Sequence, residues 1–259
     1  MSAATFPATG PISVENEERQ ASVWRGIRRA RTTLQRRYDT TADVIWIAGR
    51  HALSLSGTGP FPDGPVSIHL RHPQWIEPAL FVYWFDGLDV DVAWADRTVP
   101  APRTPETRRG DERRFARRLL HALSIASDDR NADVIDAVPI LTPAQVVLAE
   151  LWRTSLLADA PMEPRAVRAR LAASGHTLMA AMHEASTAPR LRQAVSDQGL
   201  RRVATRREDD DARVLLARVV ERSVAQVRSA LAHGGVVPGP GGDVLDEIVD
   251  AFNGSYVVG

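Results

Sequence analysis

The sequence has 259 residues, with 32 cationic and 32 acidic side chains, so no net charge attracts the chain to nucleic acid or to an anionic membrane. Cysteine is absent, which excludes disulfides, thiolate metal sites and cysteine nucleophiles. Lysine is absent too, which excludes a lysine Schiff base and a lysine-containing phosphate loop.

The N-terminal residues 1–13 are predicted to form a flexible tail, because they combine Pro7, Gly10 and Pro11 with several serine and threonine residues. They lack the basic region and apolar stretch of a secretory signal. The longest apolar runs fall far short of the ~20 residues that cross a membrane. A cytoplasmic protein without a membrane anchor is therefore expected.

Residues 14–99 are predicted to form a helix packed on a mainly antiparallel sheet. Apolar residues at spacings of three and four predict the helix from about Glu15 to Tyr38. Apolar or alternating segments then predict five short strands, at about 44–47, 53–56, 66–71, 81–85 and 88–94. Because little chain remains between them for crossover helices, antiparallel pairing is expected.

Residues 104–259 are predicted to form a helical domain, which begins after the proline cluster at Pro100 and Pro102. Thr142-Pro143-Ala144-Gln145 combines a proline at the first helical position with a capping box. Gly175 and Gly199 are interpreted as helix ends, and a long helix is predicted from about Asp210 to His233. The predicted fold class is therefore α+β, with a sheet followed by an α-helical C-terminal domain.

The polar face of the predicted sheet is the first candidate site, with His69, Arg71, Asp89 and Asp91. Asp89 and Asp91 are two residues apart on one strand, so they share a face at about 6–7 Å. On neighbouring strands these side chains would hold a divalent metal or orient an imidazole as a general base. The alternative is a solvated sheet face with charges paired across strands.

A nucleotidyltransferase would carry a Gly-Ser turn shortly before an Asp-x-Asp strand. Here the turn at Gly49-Arg50 is followed by Ser67 and His69 at the positions of those acids. The sequence therefore departs from that pattern at the residues that would bind metal. No metal site and no cofactor are predicted.

The segment from Arg228 to Gly234, Arg-Ser-Ala-Leu-Ala-His-Gly, forms the second candidate site. It resembles the Arg-x4–6-His motif of HEPN-domain ribonucleases, helical proteins in which the two side chains attack an RNA phosphodiester. The resemblance implies a catalytic pair, Arg228 and His233. The alternative is a histidine in the last turn of a helix that Gly234 ends.

A third resemblance covers residues 141–215, which are similar to winged-helix regulators of the MarR type. It rests on the Leu141–Gln145 segment, on helical segments around 165–175 and on the sequence from Gly199 to Arg213. It implies DNA binding through a locally basic stretch. The arginines of that stretch are Arg190, Arg192, Arg201, Arg202, Arg206 and Arg207.

The preferred interpretation is a non-catalytic regulatory or assembly protein whose helical half contacts another protein or a second copy of itself. Arginine-rich helices offer the contact surfaces. The arginines concerned are Arg25, Arg28, Arg29, Arg113, Arg114, Arg117 and Arg118. RNA cleavage and DNA binding remain the alternatives.

Overall fold

The computed structural model describes part of the chain, namely several residues between 18 and 36 and the ranges 45–55, 66–71, 79–85, 88–95, 108–125, 134–135, 138–157, 159–160, 162–203, 209–235 and 243–253. The helices are α1 (Gly49–Leu55), α2 (Arg108–Ile125), α3 (Pro143–Leu157), α4 (Pro164–Met182), α5 (Thr187–Ala194), α6 (Asp197–Val203), α7 (Asp209–His233) and α8 (Val244–Asn253). The strands are β1 (Ile45–Ala48), β2 (Val66–Arg71), β3 (Ala79–Phe85), β4 (Leu88–Ala95), β5 (Val134–Ile135) and β6 (Val138–Pro139). The residues described between 18 and 36 are helical.

The backbone of β1 to β4 pairs in the order β1-β2-β4-β3. The outer pairs β1–β2 and β3–β4 are antiparallel, whereas the central strands β2 and β4 run parallel. This pairing arises because the second strand of the β3–β4 hairpin, not the first, lies beside β2. Alternation along a strand predicts its two faces but not the direction of its neighbour.

The predicted α+β fold with a mainly antiparallel sheet is wrong, because helices hold most of the described residues. Among residues whose side chains are described, the named strands contribute only Ile47, Ala48 and Ser67. Residues 53–55, predicted as part of a strand, end the helix α1. Their alternation of leucine and serine fits a short helix as well as a strand, because too few residues are present to separate the two periods.

The centre of the described core is α3, from which Ala144 to Leu157 are all buried. Trp152 is fully buried there, and α2, α4 and α7 pack around the helix. Ile47 from β1 and Ala52 from α1 belong to the same continuous apolar cluster as the helices. The start of the described sheet region is thus packed directly on α3.

The capping box at the start of α3 is confirmed. The Thr142 backbone N–H donates to Gln145 Oε1 at 2.9 Å, and the Gln145 N–H donates to Thr142 Oγ1 at 3.4 Å. These reciprocal bonds satisfy N–H groups that the first turn of a helix leaves without partners. They fix where α3 begins and therefore which of its residues face the sheet.

The glycines interpreted as helix ends lie inside helices, so that interpretation is wrong. Gly175 is buried in the middle of α4, where a Cβ atom would lie 2.8 Å from side-chain atoms of both Val227 and Leu231. It therefore allows α4 and α7 to approach closely. Gly199 lies inside α6. The long helix predicted from Asp210 to His233 is confirmed as α7.

None of the helices in the described part of the chain is long and apolar enough to cross a membrane. The predicted tail at residues 1–13 and the proline boundary at 100–102 lie outside the described residues. The division of the chain at that boundary stays a prediction.

Candidate functional site

A cavity of about 240 Å³ opens between α1, β2, α3 and α4. Its described polar lining comprises Arg50, His51, Ser67, Glu150, Arg153 and Arg170, together with Ser174 and Thr177. The floor is made of buried side chains, among them Glu150 and His51, whereas Arg50 is exposed and Arg170 is half-buried. The two arginines therefore mark the open side of the cavity.

Gly49 brings the cavity walls together. It has a positive φ of 65°, a conformation that favours glycine, and it turns the chain from β1 directly into α1. A Cβ atom at this position would lie 3.1 Å from Ser67 Oγ and 3.3 Å from Glu150 Oε1. The missing side chain therefore lets the turn lie against both β2 and α3.

Glu150 and Arg153 form a buried ion pair three residues apart on α3. Arg153 Nη1 lies 3.2 Å from Glu150 Oε1 and donates a 2.5 Å hydrogen bond to Ser67 Oγ. Glu150 is 1% exposed and Arg153 is 7% exposed. Burial of both charges is unfavourable unless their remaining hydrogen-bonding positions find partners.

The second carboxylate oxygen, Glu150 Oε2, is buried and has no hydrogen-bond partner among the described residues. A buried acceptor without a partner costs about 1–3 kcal/mol, and more when it is charged. Native proteins contain few such groups, and those that occur often belong to binding or catalytic sites. Glu150 lines the cavity, so a rotation of its buried carboxylate would bring Oε2 to a hydrogen-bond donor that enters from outside.

The wall contributed by α4 is built from small residues. Ala169 and Ala173, four residues apart on one face of the helix, line the cavity, and so does the adjacent Ser174. Thr177 donates its hydroxyl to the Ala173 carbonyl at 3.1 Å. The small side chains leave the space that larger residues would fill.

The described residues contain no group of three or more His, Cys, Asp or Glu side chains that would hold a metal ion. The described lining instead has three arginines, Arg50, Arg153 and Arg170, and one carboxylate, Glu150. Such a lining attracts anions and can hydrogen-bond to them.

The residues predicted to form a polar sheet face lie on β2 and β4, and Ser67 of β2 lines the cavity. Ser67 pairs with Asp91 in the β2–β4 register, and His69 pairs with Ala93. Positions 67, 69 and 71 alternate onto one face of β2, so His69 and Arg71 share the face of Ser67, and Asp91 lies beside it on β4. Asp89 pairs with Trp84 on β3.

The side chains of His69, Arg71, Asp89 and Asp91 lie outside the described residues, so their role as a site stays a prediction. Ser67, on the same face, is buried and accepts a hydrogen bond from Arg153. A nucleotidyltransferase would need a metal-binding carboxylate at this position, where the chain has a hydroxyl paired with a cation.

Arg228 joins α7 to the start of α8. Its Nε atom donates to Asp243 Oδ2 at 2.7 Å, and its Nη2 atom donates to Asp246. Asp243 also caps α8, because its Oδ1 accepts the Leu245 N–H at 2.9 Å. Burial lowers the pKa of Arg228, but the two carboxylates outweigh it and raise the pKa overall.

His233 points to a different partner, since its Nδ1 lies 2.6 Å from the Ser229 carbonyl oxygen. Five residues apart on one helix, Arg228 and His233 lie ~140° apart around the axis. The described contacts therefore do not bring the two side chains of the ribonuclease-like motif to one point.

Four arginines of the predicted nucleic-acid surface lie on two consecutive helices. Arg190 and Arg192 on α5 and Arg201 and Arg202 on α6 are exposed. Arg201 Nε donates to the Asp197 carbonyl at 3.1 Å. Arg206 and Arg207 lie outside the described residues.

Two arginines predicted as contact residues are instead held by Asp159. Arg117 is buried, donates to the Ser155 carbonyl and lies 2.5 Å from Asp159 Oδ2, and Arg113 Nη1 lies 3.0 Å from Asp159 Oδ1. Burial raises the pKa of Asp159, but the hydrogen bonds and charges of Arg117 and Arg113 lower it overall. Burial also lowers the pKa of Arg117, which Asp159 only partly offsets.

Sequence reasoning missed Glu150, Arg153 and Asp159. Glu150 and Arg153 are the only charged residues in α3. A lone acid and a lone base three residues apart in a strongly apolar helix indicate a buried pair. That signal was present in the sequence.

Comparison with protein-family models, with curated proteins and with solved structures finds no match to this chain. The chemistry of the described cavity therefore carries the functional conclusion.

Proposed function

We propose that this protein is a non-catalytic, cytoplasmic regulatory protein that binds a small polar ligand in the cavity between α1, β2, α3 and α4. The observation that supports this is the buried Glu150–Arg153 pair in the cavity lining, whose Glu150 Oε2 atom lacks a partner among the described residues. A ligand would supply the missing hydrogen bond.

The buried Glu150–Arg153 pair is not explained by its contribution to the stability of the fold. Apolar residues of similar volume often replace a buried ion pair at no loss of stability, or even with a gain. Here the pair lies at the floor of an open cavity, beside a glycine that lets the turn between β1 and α1 lie against it. Ligand binding explains why a buried ion pair lies in an open cavity. A polar group that has no partner in the free protein gains one from the ligand.

Regulation follows from linkage between ligand binding and folding. A ligand that binds only the folded state stabilises it, by about 2.7 kcal/mol at one hundred times Kd. The cavity joins α1 and β2 to α3 and α4, so a bound ligand stabilises the contact between these elements. We propose that the helical half then contacts another protein or a second copy, with the exposed arginines of α5 and α6 as part of that surface.

Thermal unfolding with a library of polar metabolites tests the proposal. Organic acids, sugar phosphates, nucleotides, amino acids and polyamines are added one at a time to the purified protein. A true ligand at roughly one hundred times Kd is expected to raise Tm by about 5 °C or more. The same compound should have a smaller effect on the Arg50→Gln variant and an unchanged effect on the matched control Arg218→Gln, which alters an exposed arginine on α7. The proposal fails when no compound raises the Tm of the unmodified protein.

The partner part of the proposal has its own test. Light scattering with and without the ligand reports self-association, and capture from native lysate reports a different partner. A protein that stays monomeric and captures nothing in both states contradicts this part and leaves ligand binding unaffected.

A further inference from the structure

The charges of the cavity lining favour a net anionic ligand. Three arginines, Arg50, Arg153 and Arg170, face one glutamate among the described lining residues. Glu150 Oε1 is already paired with Arg153 Nη1 at 3.2 Å. Arg50 is exposed and therefore presents a cationic group at the open side of the cavity.

Glu150, at the floor of the cavity, requires a hydrogen-bond donor, whereas the arginines attract an anion. Glu150 Oε2 can only accept a hydrogen bond, because an ionised carboxylate has no proton to donate. It is buried and without a partner among the described residues, and Glu150 belongs to the cavity lining. A ligand that is an anion and nothing more would leave this oxygen without a partner and would place like charges near each other.

We infer that the ligand is a small organic anion that also carries a hydrogen-bond donor, a hydroxyl or an amino group. Its carboxylate or phosphate group binds the guanidinium group of Arg50, and its donor binds Glu150 Oε2. This inference rests on the proposed function and specifies the chemistry of the same site.

The size of the cavity limits the ligand to a small metabolite. Its volume is about 240 Å³, below the ~300–1,000 Å³ of pockets that hold drug-sized molecules. The small residues of α4, Ala169, Ala173 and Ser174, set that volume. A hydroxy acid, an acidic amino acid or a phosphorylated amine or alcohol fits this description.

Matched ligand pairs test the donor requirement by isothermal titration calorimetry on the full chain. Succinate lacks a donor, whereas malate adds a hydroxyl and aspartate adds an amino group to the same dicarboxylate. Ethyl phosphate and phosphoethanolamine form the corresponding phosphate pair. In at least one of the two sets, the donor-bearing member is expected to bind roughly tenfold more tightly than its partner, as one hydrogen bond to a charged group provides.

Glu150→Gln should remove this preference while anion binding through the arginines remains. The side-chain amide would keep its oxygen toward Arg153, so its NH2 group would replace Oε2 and meet the ligand's donor with another donor. Glu163→Gln, an exposed carboxylate just before α4, is the matched control and should leave the preference unchanged.

Arg50→Gln keeps the test decisive if Glu150→Gln does not fold, since Arg50 is exposed. This variant should weaken both members of a pair by a similar factor and leave their ratio unchanged. Equal binding of succinate and malate, and of both phosphates, overturns the inference while ligand binding itself stands. The inference is also overturned if the preference for the donor-bearing ligand survives in Glu150→Gln, or if Arg50→Gln abolishes the affinity ratio within a pair. It is overturned as well if none of these probes binds. If the metabolite library contains a ligand of another class, the proposed function stands without the inference.

Discussion

Two arginine–carboxylate clusters in this protein show different uses of the same chemistry. Arg228 is partly exposed and binds two carboxylates, Asp243 and Asp246, which together hold the start of α8 against α7. Glu150 and Arg153 are buried, and one carboxylate oxygen has no partner among the described residues. The first cluster pairs its guanidinium group with two carboxylates, whereas the second leaves one carboxylate oxygen unpaired in the lining of a cavity. The proposed ligand site rests on this combination of unmet hydrogen bonding and a cavity, and not on charge alone.

The largest effect is expected from Glu150→Ala. This change leaves Arg153 buried without its carboxylate, and breaking a buried pair in this way costs about 3–5 kcal/mol of unfolding free energy. Chemical denaturation with urea measures the loss. The exposed carboxylate of Glu163 gives the control, because Glu163→Ala should change the free energy by less than ~0.5 kcal/mol. Equal effects of both changes would mean that the pair is not buried as described.

Gly49→Ala is expected to have the next largest effect, about 2 kcal/mol. The new Cβ atom would meet Ser67 and Glu150, and alanine is strained at a φ of 65°. Gly235 provides a matched control near the other cluster, since its φ is 78° but nothing lies within 4 Å of a Cβ there. Gly235→Ala should show the backbone strain without the crowding, about 1 kcal/mol. Urea denaturation of both variants separates the backbone strain from the crowding by the new Cβ atom. A larger loss of unfolding free energy for Gly235→Ala than for Gly49→Ala would contradict the close approach at Gly49.

Arg228→Gln should destabilise the protein by about 1 kcal/mol, a modest value because the side chain is about one-third exposed and solvent screens the contact. A double-mutant cycle with Asp243→Asn should show that the two losses are not additive. The affinity for the cavity ligand should not change.

The Arg228→Gln variant also tests the ribonuclease alternative, together with His233→Ala. Cleavage of tRNA by the unmodified protein that vanishes in either variant would favour catalysis over a structural role for Arg228.

The smallest effect concerns Asp159, which is partly exposed. Its pKa is lower in the folded than in the unfolded state, so its contribution to stability is fully present above the ordinary pKa of ~3.9. The contribution disappears as the pH falls through the lower folded-state value. The stability difference between the unmodified protein and Asp159→Asn should therefore be constant near pH 7 and shrink below pH ~4. A difference that stays constant down to acidic pH would show that Asp159 is not held by Arg117 and Arg113.

The sequence predicts the helices whose signals are local. The capping box at Thr142 and Gln145 and the long apolar repeat before His233 depend on neighbouring residues, and both are confirmed. The strand pairing could not be predicted, because the alternation in residues 66–71 does not reveal which later strand lies beside it. Gly175 was misread because its role depends on Val227 and Leu231, more than fifty residues away in the sequence.

The candidate site depends even more on distant contacts. Glu150 and Arg153 are recognisable in α3 as isolated charges, but their partners Ser67 and Gly49 come from separate segments. Only the folded chain shows that Glu150, Arg153 and Ser67 line one cavity. Arg228, in contrast, was recognised from a short motif, and its described contacts with Asp243 and Asp246 support a structural role.

Backbone NMR during a titration tests the central claim most directly, because it reports both clusters at once. Malate and phosphoethanolamine are added in turn to the ¹⁵N-labelled protein. Saturable shifts are expected for the amides of Gly49, Ser67 and Glu150, with the amides of Gly234 and Gly235 unchanged. Saturable shifts confined to the Arg228 region, or no saturable shift anywhere, would contradict a ligand site at the Glu150 cavity.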